Sequence, residues 1–222
     1  MSFEVIETKE RVLADNDAAA AENRAALRRS GAFLVNLMAS PGAGKTTTLL
    51  RTIEALRGQY RIAVMEADAD GDVDARAVAA AGIPVLQVHT GGSCHMDADM
   101  TRRGLERLGT NYDLIFLENV GNLVCPAEFD VGADLRVMIL STPEGHDKPL
   151  KYPLMFQVSD VLLVNKTDVA SVFGFELETL RRNVALRHPG MPILPISARS
   201  GEGFGAWTDY LTAEIGKRRA NG

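Results

Sequence analysis

Short apolar runs alternate along this chain with polar segments long enough to form helices. The runs are nearly continuous in apolar residues and cover 33–38, 61–66, 84–89, 113–118, 135–140, 161–164 and 192–196. Continuous runs of this kind are typical of parallel strands that are covered by helices on both faces. The alternation therefore predicts an α/β fold with a doubly wound, mostly parallel sheet.

Helices are predicted between these strands, at residues 45–57, 72–81, 97–108, 150–157, 175–187 and 204–218. Ahead of the first strand, residues 9–29 are rich in alanine and charged side chains, which favours one more helix. Ser30-Gly31 is expected to end it, because glycine accepts the left-handed conformation at a helix C-terminus. We therefore expect an N-terminal helical appendage over residues 1–30, followed by one α/β domain over residues 31–222.

Charge and cysteine content exclude several classes of protein. The 222 residues carry a net charge of −5, so no overall basic field attracts nucleic acid or anionic lipid. Two cysteines and a hydrophilic start argue against a secreted, disulfide-bonded domain. The longest stretch without Asp, Glu, Lys or Arg, residues 77–96, contains Gln87 and Thr90 and does not read as a membrane span. We expect a cytoplasmic protein that binds neither nucleic acid nor a membrane.

A glycine-rich loop, ASPGAGKT at residues 39–46, follows the first predicted strand and precedes a predicted helix. It fits the phosphate-loop pattern G-x-x-x-x-G-K-[ST], with alanine in place of the first glycine. The glycines let backbone N–H groups turn toward phosphate oxygens, and the helix N-terminus adds its positive dipole. Lys45 would reach the β- and γ-phosphates, and the Thr46 hydroxyl would bind Mg²⁺. The alternative is a chance glycine-rich turn. The predicted phosphate-binding residues are Gly42, Ala43, Gly44, Lys45, Thr46 and Thr47.

A second motif, Asn165-Lys166-Thr167-Asp168, follows the strand predicted at 161–164 and resembles the N-K-x-D guanine-reading motif of GTPases. The Asp168 carboxylate can accept hydrogen bonds from N1–H and from the exocyclic amino group of guanine, whereas adenine offers neither donor. A site built to bond a ligand group can reject an analogue that lacks it by about 10⁴–10⁵-fold. Asn165 would brace the loop, and Lys166 would lay its stem along the base.

Ser197-Ala198-Arg199, after the last predicted strand, resembles the S-A-[KR] loop whose backbone contacts the guanine carbonyl. Taken alone, residues 165–168 could be an ordinary polar turn. Together with the phosphate loop upstream and Ser197-Ala198 downstream, they predict that the nucleotide is GTP. An ATP-using small-molecule kinase is the rival enzyme class, and it would lack this pair of motifs.

Two cysteines and a histidine lie in loops after neighbouring predicted strands. Cys94-His95 follows the third strand and Cys125 follows the fourth, so both loops should emerge at the carboxyl edge of a parallel sheet. Two thiolates and an imidazole suit Zn²⁺ or Ni²⁺, and three ligands leave a coordination position open. The alternative is that both cysteines are small buried hydrophobic residues. The other histidines, His89, His146 and His188, are assigned no role.

The position of Cys125 suggests a switch. Glu118-Asn119-Val120-Gly121 takes the place of the D-x-x-G segment that senses γ-phosphate in GTPases, with Glu for Asp. Cys125 lies seven residues beyond Glu118 in the same loop. A γ-phosphate that orders Glu118 to Gly121 would therefore also move the thiol.

These segments together resemble the HypB family of hydrogenase nickel-incorporation GTPases. The matching stretches span nearly the whole chain and include NLMASPGAGKTTTL, GIPVLQVHTGGSCHMDADM, DLIFLENVGNLVCPAEFDVG, DKPLKYPLMF and LLVNKTDV. The resemblance implies a cytoplasmic P-loop GTPase that acts as a metallochaperone in nickel delivery to [NiFe]-hydrogenase. It implies GTP, Mg²⁺ and Ni²⁺ or Zn²⁺ as ligands, and a homodimer formed on GTP or metal binding. It also implies other hydrogenase maturation proteins and the hydrogenase large subunit as partners.

The resemblance also assigns residues. It places the nickel or zinc site on Cys94, His95 and Cys125. The acidic stretch EADADGDVD resembles the first switch of the family, which makes Asp68 a Mg²⁺-associated residue beside Thr46 and Glu118. The predicted catalytic residues are accordingly Lys45, Asp68 and Glu118. Lys148, in DKPLKYP, would reach the nucleotide of a neighbouring subunit, and the alternative for it is an exposed loop lysine.

The chain departs from many relatives in three ways. It has neither an N-terminal cysteine-rich motif nor a histidine-rich stretch, so metal storage is not expected. His146 stands where relatives usually carry Glu, and the sequence offers no reason for it.

The urease-assembly nickel GTPase is an alternative, but its metal motif is Cys-Pro-His, whereas this chain reads Cys94-His95-Met96. A non-catalytic GTP-binding docking module, with inert cysteines, is the remaining alternative.

Overall fold

The computed structural model describes residues 8–68, 71–109 and 111–220, with side chains from residue 12 onward. Within these residues, strands β1 (Phe33–Ala39), β2 (Ile62–Asp68), β3 (Val85–His89), β4 (Leu114–Glu118), β5 (Leu135–Ser141), β6 (Val161–Asn165) and β7 (Ile193–Pro195) form one sheet. The strand order is β3-β2-β4-β1-β5-β6-β7, and every neighbouring pair is parallel. The predicted α/β, doubly wound parallel sheet is confirmed.

Nine α-helices are present in the described part of the chain: α1 (Thr8–Ser30), α2 (Lys45–Leu56), α3 (Val73–Ala80), α4 (Ala98–Leu108), α5 (Cys125–Glu128), α6 (Lys148–Lys151), α7 (Pro153–Val158), α8 (Leu177–Ala185) and α9 (Phe204–Ala220). Two short 3₁₀-helices cover Thr142–Glu144 and Thr167–Phe173. Among these described helices, none combines the length and apolar character needed to cross a membrane.

The core has apolar layers on both faces of the sheet because the central strand β1 is buried on both sides. Val35 and Leu37 pack with α2 and α9, whereas Leu34 and Met38 point to the opposite face. That opposite face is covered by α1 and α4 at one end and by α7 and α8 at the other. Double coverage explains why the strands read as continuous apolar runs.

The segment predicted as one helix over 150–157 is instead two short helices, and that prediction is wrong in this respect. Tyr152 separates α6 from α7 with φ −125° and ψ 58°. Pro153 disfavours the helical conformation at the residue before it, because its ring clashes with the preceding backbone. The four-residue α5, which begins at Cys125, also had no counterpart among the predicted elements.

Helix α1 is held to the sheet domain through two buried asparagines. The Asn16 side chain accepts from Ala98 N at 2.9 Å and donates to Asp130 O at 2.9 Å. Asn23 Nδ2 donates to Ala98 O at 2.8 Å and to Val131 O at 3.1 Å. These bonds join α1 both to the start of α4 and to the segment just after α5.

Loss of one of these amides should destabilise the fold. Asn23→Ala removes the hydrogen bonds that its amide donates to two buried residues, so the free energy of unfolding should fall by about 1–3 kcal/mol. Urea unfolding measures the change, and the exposed neighbour Glu22→Ala serves as the control. A loss no larger than that of the control would show that the α1 contact contributes little.

Candidate functional site

The phosphate loop lies at the carboxyl end of β1, as the sequence predicts. Gly42 and Gly44 have φ values of 76° and 94°, a region that favours glycine. A Cβ on Gly44 would lie 2.5 Å from Asn165 Nδ2, so close approach as well as conformation requires glycine there. A cavity of about 600 Å³ opens above the loop. It is lined by Pro41, Gly42, Gly44, Lys45, Thr46, Thr47, Asp68, Asp74, Glu118, Val120, Gly121 and Lys166.

Two buried carboxyl groups stand side by side next to this cavity, and one of them, Glu118, lines it. Glu66 on β2 is paired in register with Glu118 on β4, and both are buried. Thr46 Oγ1 donates to Glu118 Oε1 at 2.8 Å. Among the described residues, Glu66 Oε1 and Glu118 Oε2 have no hydrogen-bond partner. Burial, and then the charge of Glu118, raise the pKa of Glu66 well above its usual range. Burial also raises the pKa of Glu118, which the charge of Lys45 opposes.

The oxygen atoms of Thr46, Asp68 and Glu118 in this cavity fit a hard divalent cation. The unpartnered Glu118 oxygen, the Thr46 hydroxyl and the nearby Asp68 carboxylate are the donors that Mg²⁺ prefers. Within the acidic stretch, Asp68 and Asp74 line the cavity, whereas the exposed Asp72 pairs with an arginine one turn along α3. Residue 70 lies outside the described residues.

A smaller cavity of about 250 Å³ adjoins the phosphate loop and is lined by residues of both the Asn165–Asp168 and the Ser197–Arg199 segments. Asn165 Nδ2 donates to Ala43 O at 2.9 Å, and Asn165 Oδ1 accepts from Ala198 N at 3.0 Å. Lys166, at φ 62°, donates from Nζ to Gly42 O at 2.7 Å. The residues lining this cavity are Gly44, Thr47, Asn165, Lys166, Asp168, Val169, Ala198 and Arg199. Ser197 does not line this cavity, but its Oγ donates to Asp168 Oδ1 at 2.7 Å.

Cys94, His95 and Cys125 form a compact cluster. One ligand atom from each lies within 4.8 Å of the others, with Cys94 Sγ 2.8 Å from Cys125 Sγ and 3.9 Å from His95 Nδ1. The His95 ring stacks on Phe129 at 3.9 Å between centroids, which orients the imidazole. Burial lowers the pKa of His95 and so favours the neutral form that binds metals. The hydrogen bond with Cys94, and then burial, raise the pKa of Cys125.

The cluster is attached to the Glu118–Gly121 segment by two asparagines, one within that segment and one directly after it. The buried Asn119 accepts at Oδ1 from Met96 N at 3.0 Å, directly after the candidate ligands Cys94 and His95. Asn122 donates from its backbone N to Ala39 O at 2.9 Å, and from Nδ2 to Cys94 O at 3.4 Å. The start of the phosphate loop, the Glu118–Gly121 segment and the Cys94 loop are therefore in direct contact.

Two further residues of interest lie away from both cavities. Lys148 Nζ stands 5.4 Å from the ring centroid of Tyr152 and lines neither cavity, so within one chain it does not reach the nucleotide pocket. His146, whose role the sequence left open, accepts at Nδ1 from Glu176 N at 3.3 Å, and its carbonyl accepts from Asn183 Nδ2 at 2.8 Å. It therefore connects the Lys148 segment to α8 and to the residue that precedes it.

Sequence reasoning missed Glu66 and the role of Asn119. A signal for Glu66 was present, since it is the one charged residue inside the apolar run IAVME. No comparable signal marked Asn119, because its importance depends on a backbone N–H contributed by a different loop.

The fold and the cavity together define a P-loop nucleotide-binding domain. Comparison of the chain with known proteins gives the same class. Residues 33–195 match the family model described as "CobW/HypB/UreG, nucleotide-binding domain". The chain is 46% identical to hydrogenase maturation factor HypB of Azotobacter vinelandii, over 93% of this chain and 69% of that protein.

Two solved structures are similar over nearly their full length. HypB from Archaeoglobus fulgidus has a TM-score of 0.85 and 37% identity, covering 91% of this chain and 99% of that one. HypB from Helicobacter pylori in complex with nickel has a TM-score of 0.85 and 33% identity, covering 93% and 96%. The chain belongs to the HypB family of hydrogenase maturation factors, so the resemblance predicted from the sequence is confirmed. Nucleotide binding is the property that the description of the matched family model gives to this domain.

Neutralising Glu66 should change how stability depends on pH. With nucleotide and metal removed, the folded chain keeps a proton on Glu66 at a pH where the unfolded chain has released it, so stability falls as pH rises. Glu66→Gln should therefore raise the free energy of unfolding, and more at about pH 8.5 than at about pH 6.

Urea unfolding at the two pH values measures this effect, with the exposed Glu54→Gln as the matched control. An equal gain at both pH values would contradict the raised pKa of Glu66.

Proposed function

We propose that this chain is a cytoplasmic, GTP-hydrolysing metallochaperone that binds Ni²⁺ or Zn²⁺ and assists nickel insertion into [NiFe]-hydrogenase. The observation that carries the proposal is the cluster of Cys94, His95 and Cys125, which lies next to the phosphate-sensing segment of a nucleotide-binding fold. A nucleotide-binding domain without a metal role has no need for two thiols and an imidazole at this edge of its sheet.

The smaller cavity supports GTP as the nucleotide. Asp168 lines it beside Lys166 and Ala198, where the carboxylate can accept the two donors of a guanine edge. Ser197 orients that carboxylate through its hydroxyl, and Asn165 joins the base-reading loop to the phosphate loop. These contacts favour guanine over adenine because adenine would leave the Asp168 charge unpaired.

Hydrolysis in this site depends on positioning and charge neutralisation. Lys45 and the N-terminus of α2 would hold the β- and γ-phosphates. Mg²⁺, held by Thr46, Asp68 and Glu118, would supply charge neutralisation on the phosphate oxygens. Among the described residues, no arginine lines the phosphate cavity, so the intrinsic rate should be slow.

The metal cluster suits a cargo ion rather than a permanent one. Thiolates and imidazole bind Ni²⁺ and Zn²⁺ well, and three ligands leave a position for water or for a ligand from an acceptor protein. Cys94 is exposed, which leaves the ion accessible from solvent. The acceptors that we propose are other hydrogenase maturation proteins and the hydrogenase large subunit.

Nucleotide state and metal affinity are coupled in this proposal. A γ-phosphate that contacts the Glu118–Gly121 segment would shift Asn119 and Asn122, and through them the loop that carries Cys94. Couplings of this kind are typically about 1–3 kcal/mol. We further propose that GTP or metal binding favours a homodimer. The exposed Val124 beside Cys125 would lie near its two-fold axis, and Lys148 would reach the partner's nucleotide.

Single substitutions of the cluster should separate metal binding from nucleotide binding. Cys94→Ala, His95→Ala and Cys125→Ala should each weaken Ni²⁺ binding by about 100-fold or more, since a three-ligand site loses a third of its donors. The dissociation constant for GDP should stay within about twofold, because none of the three lines the nucleotide cavities.

Competition with a chromophoric chelator measures the Ni²⁺ affinity, and His89→Ala, a histidine outside the cluster, is the control. Wild-type Ni²⁺ affinity in all three variants would rule out this site and favour a docking module with inert cysteines.

The coupling predicts different Ni²⁺ affinities in the two nucleotide states. Protein loaded with GDP and protein loaded with a non-hydrolysable GTP analogue should differ by about 5–150-fold in Ni²⁺ dissociation constant. Asn119→Ala should reduce that difference, because it removes the hydrogen bond to Met96 N. Identical dissociation constants in the wild-type protein would remove the switch from the proposal.

A further inference from the structure

The loop after β7 is held by one arginine of the phosphate-loop helix. Arg51 lies on α2, one turn beyond Thr47, which lines both nucleotide cavities. Its Nε donates to Ala198 O at 2.7 Å, and its Nη2 donates to Arg199 O at 3.1 Å. A planar guanidinium can hold two neighbouring carbonyl oxygens in one geometry, which a lysine ammonium on a flexible stem does less well.

The rest of this loop closes around the guanidinium. The ring of Phe204 lies 5.7 Å from Arg51 Cζ, within cation–π range. Gly201 has φ 89°, and a Cβ there would lie 2.7 Å from Arg51 Nη1. Gly201 N donates to Ser197 O at 2.8 Å, which closes the turn. In the described part of the chain, no carboxylate forms an ion pair with Arg51, so its donors are directed to this loop.

The loop that Arg51 holds also carries the contacts that orient the base-reading residues. Ala198 N donates to Asn165 Oδ1 at 3.0 Å, and Ser197 Oγ donates to Asp168 Oδ1 at 2.7 Å. Asp168, the carboxylate that would recognise guanine, is therefore oriented by Ser197. Arg51 binds the carbonyl oxygen of the next residue, Ala198. No other side chain described here joins α2 to this loop by two hydrogen bonds.

We propose that Arg51 is a positioning residue for guanine recognition, which holds the Ser197–Arg199 loop against the helix that binds the phosphates. This inference rests on the proposed use of GTP. Arg51 does not line the base cavity itself, so it acts through Ser197 and Ala198. Loss of Arg51 should lower the preference for guanine while leaving the phosphate contacts in place.

Competitive displacement of a fluorescent GDP from the full chain tests the proposal, with GDP and ADP as competitors. Arg51→Met should raise the dissociation constant for GDP about tenfold and that for ADP less than about twofold. Arg51→Lys should give an intermediate loss, because it keeps the charge but not the fork. The matched control is Arg57→Met at the end of the same helix, an exposed arginine with a single 3.4 Å bond to Ala81 O.

The affinities for GDP and ADP distinguish failure of this inference from failure of the proposed function. An unchanged GDP affinity in Arg51→Met, or equal weakening of GDP and ADP, would overturn the inference, since a general loss of stability acts on both nucleotides. If Arg51→Met does not fold, Arg51→Lys decides, and a wild-type ratio of GDP to ADP affinity in that variant overturns it. A wild-type protein that binds ADP as tightly as GDP would instead overturn the proposed function.

Discussion

Two carboxyl groups buried side by side on neighbouring strands are the constraint on which the rest of this site depends. Glu66 and Glu118 lie in an apolar sheet, and each has an oxygen without a hydrogen-bond partner among the described residues. Burying charge in this way is costly unless a cation or a proton offsets it. Lys45 and the Thr46 hydroxyl are the nearest compensating groups, and both belong to the phosphate loop. In the proposed function, these two carboxyl groups would lie beside the Mg²⁺ that accompanies the nucleotide.

Parallel pairing makes the nucleotide site and the cluster of Cys94, His95 and Cys125 neighbours. Because β1 and β4 run in the same direction, the phosphate loop and the Glu118 segment end at one edge of the sheet. Asn119 and Asn122 then carry hydrogen bonds from that segment to the loop of Cys94. In the proposed mechanism, a shift of one short segment therefore changes both the contacts of the phosphate and the position of a metal ligand.

Much of this arrangement could be predicted from local patterns. The phosphate loop, the Asn165–Asp168 motif and the three metal-ligand candidates each have a short signature, and the apolar runs predicted the parallel sheet. Apart from Glu66, which stands out locally as a charge in an apolar run, the missed features depend on contacts between distant parts of the chain. Arg51 meets Ala198 across 147 residues, and no local pattern on either side marks that contact. The boundary drawn between residues 30 and 31 stays a prediction, and Asn16 and Asn23 join α1 firmly to the domain across it.

The amino-acid sequence by itself determined the class of fold, the nucleotide-binding motifs and the family, because each depends on residues that are close together in the chain. Only the tertiary structure decided which carboxyl groups share a pocket, that three separate ligand atoms come within 4.8 Å, and which side chains hold the loops together. These depend on strand order and register, since the packing of the whole sheet decides which loop ends become neighbours.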